Sequence, residues 1–220
     1  LRTRIVRCDL LPGARVTEKG LAADLGLGVA PVRAALARLS QDGLVVTIAR
    51  SGYRIAPLTT RSVDDLLDVW EFVGPESGRS GVTRASVSQR EEIASGFQRI
   101  QEMSQHAPSA EEGKQLLLQI EATFGVLIEA TGSEYFARVN DMLFADLSRV
   151  WVLALAADPG ILAIDSEVSW WRDIVSHPSP DVVAERIAHT VAVLQSRIRS
   201  LLARWPSVLE TELVPNPSAP

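Results

Sequence analysis

The chain has 220 residues, 46% of them hydrophobic, and a formal net charge of −5, which is enough sequence for one large domain or two smaller ones. No apolar run approaches the roughly 20 residues that span a bilayer and no signal-peptide pattern is present, so we expect a cytoplasmic protein with no membrane partner. Cys8 is the single cysteine, so an internal disulfide is excluded, and we expect it to pack against the helix pair predicted over residues 18–41 rather than to sense oxidants.

Charge divides the sequence into two unlike parts. Residues 1–60 carry nine basic and four acidic side chains, a net charge of +5, whereas residues 61–220 carry a net charge of −10. A basic segment joined to an acidic one favours contact with phosphate groups at the basic end. An arginine-rich surface without a phosphate ligand has the same composition and is the alternative.

Two short helices separated by a glycine-containing turn are predicted in the basic part. Thr17 has the residue type of an N-cap for a helix over Glu18–Leu25, where apolar residues recur at helical spacing. Residues 26–28 interrupt this pattern, and Pro31 suits the first turn of a second helix over residues 30–41. Such a pair of helices is typical of a helix-turn-helix.

Two short strands are predicted directly after the helix pair. Residues 44–48 and 53–56 are rich in β-branched and aromatic side chains and flank a turn that contains Arg50, Ser51 and Gly52. Strand, turn and strand in this position predict the wing of a winged helix-turn-helix. The combination with the basic charge indicates a domain that binds double-stranded DNA.

Helical periodicity continues from residue 60 to residue 205. The predicted helices begin near residues 61, 88, 110, 134, 166 and 181, and Gly74-Pro75 is expected to kink or divide the first of them. Ser88 and Glu91 resemble a capping box for the second helix. Short loops between these segments predict an antiparallel bundle of six or seven helices. The predicted fold class is therefore mainly α, with an N-terminal winged helix-turn-helix.

The predicted organisation has four parts. A winged domain occupies residues 1–57 and a linker occupies residues 58–61. A helical domain occupies residues 62–206, and residues 207–220 form a tail that is rich in Pro. The hinge between the two domains is expected at residues 57–60, because this short segment joins the last strand of the wing to the first helix of the bundle.

The N-terminal motifs resemble the DNA-binding domain of GntR-family transcription regulators. The resemblance rests on residues 11–18 (LPGARVTE), 21–26 (LAADLG), 31–39 (PVRAALARL) and 42–45 (DGLV). With an all-helical second domain, the layout resembles the FadR subfamily and its FCD-type ligand-binding domain, which implies that residues 62–206 form an effector-binding and dimerisation domain. The resemblance implies a homodimer that binds a palindromic DNA operator, represses a metabolic operon and responds to a small-molecule effector of carboxylate or acyl type. It implies neither enzyme activity nor a cofactor, and no phosphate loop or catalytic triad is recognisable in the sequence.

The resemblance also implies which residues contact the operator. They are Lys19, Gly28, Val29, Ala30, Arg33, Arg50, Ser51 and Gly52. Family members usually have Ser or Thr, then Arg, then Thr or Asn where this chain has Gly28-Val29-Ala30, so side-chain donors to phosphates and bases are missing. Either the operator is unusual and contacted through thymine methyl groups, or binding is weak. The rival function is an effector-binding dimer that has lost sequence-specific DNA recognition, and for Arg33 the alternative is a solvated helix charge.

Many members of the family bind a divalent metal through an Asp-x-x-Phe-His pair and two later histidines. Here Glu121 keeps an oxygen ligand, Gly125 replaces the first imidazole, and Trp171 and residues 190–192 stand where the later histidines are expected. His189 is near, but one imidazole and one carboxylate are too few ligands for a transition-metal site. We therefore expect no metal, and Glu121 is interpreted equally well as a buried, hydrogen-bonded carboxylate.

The same replacements predict a cavity that is enlarged at Gly125 and apolar near Trp170 and Trp171. Arginine side chains pair well with carboxylates, although each arginine considered is also typical of a surface charge and the tryptophans of an ordinary core. The predicted effector site comprises Glu121, Gly125, Arg138, Arg149, Trp171, Arg172 and His189.

Overall fold

The computed structural model describes residues 1–49, 52–105, 109–163 and 170–204, except for the side chains of Ala110 and Trp170, and the elements within these residues form a mainly helical fold, as predicted. The helices are α1 (Arg2–Val6), α2 (Glu18–Leu25), α3 (Val29–Gln41), α4 (Thr60–Arg84), α5 (Val87–Ser104), α6 (Ala110–Ala130), α7 (Glu134–Ala157), α8 (Asp173–Ser176) and α9 (Pro180–Arg204). The strands are β1 (Arg15–Val16), β2 (Val45–Ile48) and β3 (Gly52–Ile55). No single helix among the described residues is long and apolar enough to cross a membrane; α2 and α3 meet that length and composition only as a bent pair.

The first module is a winged helix-turn-helix, as predicted. Strand β3 lies between β1 and β2, and both pairings are antiparallel. Ile5, Leu36 and Ile55 are inaccessible to solvent and lie in one apolar cluster that joins α1, α3 and the sheet. The strand β1 was not predicted, because the two residues Arg15 and Val16 are too few to show a periodicity.

The ends of α2 and α3 follow from local residue types. The side chain of Thr17 accepts a hydrogen bond from the Gly20 N–H at 3.0 Å, which confirms the predicted N-cap. Gly26 ends α2 with a left-handed backbone, at φ 63°. Helix α3 begins at Val29, one residue earlier than predicted, and its N-cap Gly28 provides no side-chain hydrogen bond.

The second module is a bundle in which α4 packs along α9 and α5 packs along α6. Of the two effects predicted for Gly74-Pro75, a kink or a division of the first long helix, the division does not occur, because α4 continues through Pro75. A Cβ on Gly74 would lie 3.5 Å from a methyl group of Val191, an ordinary van der Waals distance, which shows that α9 packs against this part of α4. Tertiary packing thus maintains the helix despite the missing N–H of proline.

The start of α5 also differs from the prediction. The capping box is formed by Ser86 and Gln89, two residues before the predicted pair Ser88 and Glu91. Both pairs have suitable residue types at the required spacing. The earlier pair is used because α4 ends at Arg84, and α5 follows it almost at once.

The predicted helix over residues 166–176 lies partly outside the described residues, which omit 164–169. Its described part consists of a 3-10 turn over Trp170–Arg172 followed by the short helix α8. Helix α9 starts at Pro180, one residue before the predicted start, and is described as far as Arg204. The predicted tail at residues 207–220 lies outside the described residues.

The residues predicted as a linker differ in burial. Leu58 is buried in the apolar core of the bundle, whereas residues 59–61 are exposed. Thr59 and Ser62 form the capping box at the start of α4. The connection between the two modules is therefore anchored by the packing of Leu58 and by the hydrogen bonds of this capping box.

Helix α7 joins the two modules. Its residue Ala145 belongs to the apolar cluster of the winged domain. Arg2 of α1 forms an ion pair with Asp141 of α7 at 2.8 Å. The thiol of Cys8 donates a weak hydrogen bond to the carbonyl of Arg149 at 3.6 Å. The winged domain is thus docked on the side of α7.

Candidate functional site

The first candidate site is the exposed surface formed by α2, the following turn and the start of α3. The direction of α3 differs from that of α2 by 114°, within the range of about 90–120° typical of helix-turn-helix motifs. Lys19 and Arg33 are exposed, as are Gly28 and Ala30, whereas Val29 is half-buried. This surface therefore combines two basic side chains with an open turn.

Arg33 is held by Glu18, the first residue of α2. Its Nε lies 3.0 and 2.9 Å from the two carboxylate oxygens, and Nη2 lies 2.8 Å from Oε2. The hydroxyl of Tyr53, on β3, donates to the same carboxylate at 3.2 Å. The side chain of Arg33 is still 65% exposed. These contacts therefore orient a guanidinium group that a ligand can reach.

The ionisation of this cluster follows from the same contacts. The hydrogen bond from Arg33 is the main cause that lowers the pKa of Glu18, and partial desolvation opposes it. Desolvation is the main cause that raises the pKa of Tyr53, and its hydrogen bond to Glu18 adds to the effect. The bond to Glu18 raises the pKa of Arg33 in turn. At neutral pH the cluster consists of a carboxylate, a guanidinium and a neutral phenol.

The wing begins its return strand at Gly52. This residue has φ 91°, and a Cβ added to it would lie 2.9 Å from the carbonyl oxygen of Val16. Only glycine therefore fits this turn without strain. Arg50 and Ser51, the predicted contacts at the tip of the wing, lie outside the described residues.

Sequence reasoning missed a pair of arginines on the sheet of the winged domain. Arg15 of β1 is paired directly with Arg54 of β3. Arg15 is exposed, and the buried Nε of Arg54 has no hydrogen-bond partner among the described residues. Like charges in this position destabilise a sheet, and an anion between them would relieve the repulsion. The pairing of the two arginines could not be predicted from the sequence, because strand β1 was not predicted.

The second candidate site is a cavity of about 290 Å³ between α1, α6 and α7. It lies where the winged domain meets the bundle. Residues that line it include Arg2, Val6, Glu121, Gly125, Asp141, Phe144 and Ser148.

Two of the predicted effector residues, Glu121 and Gly125, lie at this cavity. They are one turn apart on α6 and line it together. Ser148 of α7 donates its hydroxyl proton to Glu121. A Cβ on Gly125 would meet no atom within 4 Å. The cavity wall thus presents a carboxylate next to an opening left by glycine.

Two predicted arginines of α7 do not line the cavity. Arg138 is exposed, and its guanidinium carbon lies 4.6 Å from the ring centroid of Tyr135. Arg149 is fully buried, pairs with Asp146 at 2.7 Å and donates to the carbonyl of Ala56. Neither guanidinium faces the cavity, so neither is a neighbour of Glu121 there.

The remaining predicted residues are distributed over other parts of the bundle. Trp171 donates its Nε1 proton to Gln101 of α5 at 2.7 Å, and Arg172 lies 5.1 Å from the Trp171 ring centroid. His189 is exposed on α9. In the described part of the chain, no three His, Cys, Asp or Glu side chains lie close enough together to hold a metal ion.

Comparison with known sequences connects the first module to one family. Residues 1–55 match the family described as bacterial regulatory proteins, gntR family. The uncharacterized HTH-type transcriptional regulator YdhC of Bacillus subtilis (strain 168) is 33% identical over 69 residues, and the Nta operon transcriptional regulator of Aminobacter aminovorans is 33% identical over 75 residues. These alignments cover 31% and 34% of this chain. The chain matches only about a third of each relative's length, 31% and 36%.

Comparison with solved structures extends over both modules. The structure of E. coli McbR/YncC superposes with a TM-score of 0.69 at 17% identity, covering 92% of this chain and 93% of the other. A putative transcriptional regulator GntR from Rhodococcus sp. RHA1 gives a TM-score of 0.57 at 17% identity, covering 96% and 94%. At this identity the similarity shows the fold, a winged helix-turn-helix followed by a helical domain.

Proposed function

We propose that this chain is a DNA-binding transcription regulator of the GntR family, with the domain layout of the FadR subfamily. The observation that carries the proposal is that the family match over residues 1–55 coincides with a winged helix-turn-helix whose basic surface is exposed. The shared fold over 92% of the chain with McbR/YncC supports a two-domain regulator. We further propose that it represses a metabolic operon and releases the operator when an effector binds.

In this proposal α3 lies in the major groove and directs Arg33 towards a base edge. A guanidinium pairs bidentately with guanine O6 and N7, and its contacts with Glu18 hold it in one orientation. Lys19 contacts a phosphate beside the groove, residues 28–30 contact the backbone and thymine methyl groups, and residues 50–52 of the wing contact the neighbouring phosphates.

Main-chain groups can replace the side-chain donors that residues 28–30 lack. Helix α3 begins at Val29, and Gly28 provides no side-chain cap, so the first N–H groups of the helix are available to a phosphate. A helix N-terminus favours an anion through these N–H groups and through the helix dipole. The pair Arg15 and Arg54 offers a further positive surface beside the wing.

We propose that the protein acts as a homodimer through exposed apolar side chains on α4 and α7. Phe72 of α4 is 78% exposed, and Tyr135 and Met142 of α7 are 76% and 60% exposed. The two helices are neighbours, joined by the buried hydrogen bond between Ser77 and Asn140. A symmetric dimer doubles the contacted site, which is why such operators are palindromic.

We propose that the effector binds in the cavity between α1, α6 and α7. Because α1 belongs to the winged domain, a shift of this domain changes the shape of the cavity. A ligand that fits one arrangement better than the other then shifts their populations, whereas a ligand with equal affinity for both shifts nothing. The resemblance to the FadR subfamily implies an effector of carboxylate or acyl type without a metal.

The second candidate function is an effector-binding dimer that no longer recognises a specific DNA sequence. It is favoured by Gly28-Val29-Ala30, which lacks the hydroxyl and guanidinium groups that relatives use at the start of the recognition helix. In this function the basic surface binds DNA only through phosphates, and the affinity depends on salt but not on sequence.

Selection of binding sites from a pool of random double-stranded DNA tests both functions. For a regulator we expect an enriched inverted repeat, bound by a dimer at least about a thousandfold more tightly than random DNA at physiological salt. Enrichment of no sequence, together with equal affinity for random DNA, would contradict the first function and support the second. Elution as a monomer, with no dimer on the selected DNA, would contradict the homodimer.

A further inference from the structure

The side chains that line the cavity carry more negative than positive charge. Glu121 and Asp141 contribute carboxylates, and Arg2 is the one cationic side chain among the described residues that line it. Arg2 is already paired with Asp141 at 2.8 Å and also donates to the main-chain carbonyl of that residue at 3.2 Å. The carboxylate of Glu121 therefore remains without a balancing cation, and the wall carries a net negative charge.

The surroundings of Glu121 leave it able to accept more hydrogen bonds. One oxygen, Oε1, accepts a hydrogen bond from the hydroxyl of Ser148. Within the described residues the carboxylate forms no ion pair. An ionised carboxylate has about four acceptor positions and no donor. A ligand that supplies N–H donors and a positive charge matches this group, whereas a carboxylate ligand would be repelled by it.

The rest of the wall is suited to an apolar body. Val6, Ile128, Phe144 and Ala145 line the cavity together with the open position at Gly125. The pocket is partly open to solvent, since Gly125 and Asp141 are exposed, and its volume of about 290 Å³ exceeds the roughly 150 Å³ of an enclosed engineered cavity that binds benzene. It therefore accommodates an aromatic ring or a short chain as well as one polar head group.

We propose that the effector is a small amine, with its ammonium group bound to Glu121 and an apolar body of up to about a dozen non-hydrogen atoms packed against α1 and α7. This inference deepens the proposed function, because it names the chemical class of the effector. An amine differs from the organic acid that the family resemblance implies. The reason for the difference is that none of Arg138, Arg149 and Arg172, the arginines predicted to bind a carboxylate, lines the cavity. Binding of the amine itself does not require the protein to recognise DNA.

Calorimetric titration with three probes of one skeleton tests the charge preference. The probes are 2-phenylethylamine, 2-phenylethanol and 3-phenylpropionate, which carry positive, neutral and negative head groups. We expect the amine to bind at least about tenfold more tightly than the acid, as for a charged hydrogen bond in a partly exposed site. Equal affinity of amine and acid, tighter binding of the acid, or no heat from any probe at millimolar concentration would overturn the proposal.

Two substitutions should change the amine affinity in opposite directions. Glu121→Gln keeps an acceptor for Ser148 but removes the charge, so we expect it to abolish the preference for the amine. Arg2→Gln removes the competing cation and frees Asp141, so we expect the amine to bind more tightly, by about threefold or more. If the effector were a carboxylate, Glu121→Gln would instead tighten its binding, and Arg2→Gln would weaken it. An amine preference that survives Glu121→Gln in a variant with unchanged circular dichroism would overturn the proposal.

Failure of this inference is separable from failure of the proposed function. If the protein selects an inverted repeat but binds no amine, the ligand class is wrong and the regulator remains. If it binds the amine but selects no DNA sequence, the ligand class stands and the DNA-binding function is wrong. If the amine binds and releases the selected DNA, both are supported.

Discussion

Arg149 of α7 donates a hydrogen bond to the main-chain carbonyl of Ala56, the residue that follows the last strand of the winged domain. The guanidinium is 1% exposed, and its second contact is the carboxylate of Asp146, one turn earlier on α7. The main-chain carbonyl of Arg149 in turn accepts a hydrogen bond from the thiol of Cys8. The two domains are therefore connected through α7 as well as through the chain between them.

We predict that Arg149→Met lowers the free energy of unfolding by about 3 kcal/mol. Removing one partner of a buried charged pair leaves the other unsatisfied, which typically lowers the free energy of unfolding by about 3–5 kcal/mol. Asp146 is partly exposed, so we expect a loss at the lower end of this range. Urea denaturation measures it. The matched control is Arg138→Met on the same helix, an exposed position where we expect a change within about 0.5 kcal/mol. Equal losses for both variants would contradict the role of Arg149.

We predict that Cys8 is unreactive in the folded protein. Burial raises the pKa of its thiol from 9.0 to about 11, an effect that Arg149 partly opposes. At pH 8 only about one thiol in a thousand is then ionised, and the thiolate is the reactive form. Labelling with Ellman's reagent should be slow in buffer and fast in denaturing urea. A Cys8→Ala protein that carries Ser200→Cys, an exposed position on α9, is the control, and equally fast labelling of native Cys8 would contradict burial.

We predict that the stability provided by Glu18 is lost in acid. Its pKa is held below the ordinary value of 4.5, mainly by the hydrogen bond from Arg33, so the native state favours the ionised form more than the unfolded state does. The contribution is complete above the unfolded pKa and disappears as the pH falls through the folded pKa. Urea midpoints of wild type and Glu18→Gln should therefore differ at pH 7, and the difference should shrink progressively as the pH falls below 4.5. Glu129→Gln, exposed on α6, serves as control; a difference that grows in acid would contradict the prediction.

The contacts that determine these predictions were only partly accessible to sequence reasoning. The N-cap Thr17 was predicted because a cap depends on a few neighbouring residues, and the interrupted periodicity at residues 26–28 indicated the end of α2. The pairing of Glu18 with Arg33 was not, since it depends on how two helices cross at the turn between them. The burial of Arg149 depends on the docking of the winged domain against α7. Docking between domains produces no periodic pattern in the sequence, so this burial could not be predicted.

The sequence predicted a cavity inside the helical bundle near Gly125 and Trp171, whereas the pocket that Gly125 lines lies between the bundle and the winged domain. Gly125 does leave an opening one turn from Glu121, because spacing along one helix determines which side chains share a face. The opposite wall could not be predicted, since it is formed by Arg2 and Val6 of the other domain. Trp171 instead bonds to Gln101 of α5.

We predict that Arg33→Ala weakens binding to the selected DNA by about tenfold or more and broadens the selected sequence at one base pair of each half-site. Arg33→Lys should recover charge but not specificity, because an ammonium group cannot form the bidentate pair. Fluorescence anisotropy at fixed salt measures the affinity. Arg38→Ala, exposed near the end of α3, is the control. An unchanged affinity and selected sequence for Arg33→Ala would identify Arg33 as a solvated helix charge.

We predict that Gly125→Leu abolishes binding of the amine and its effect on DNA, while the fold and basal DNA binding are retained. A Cβ at this position meets no atom within 4 Å, so the leucine side chain has room to enter the cavity and occupy the volume that the ligand needs. Gly125→Ala is the matched control: it adds one methyl group, should stabilise α6 by about 0.5–1 kcal/mol and should still bind the amine. Calorimetry and anisotropy separate the two effects. If Gly125→Leu still binds the amine and still releases DNA on its addition, the effector site lies elsewhere in the protein.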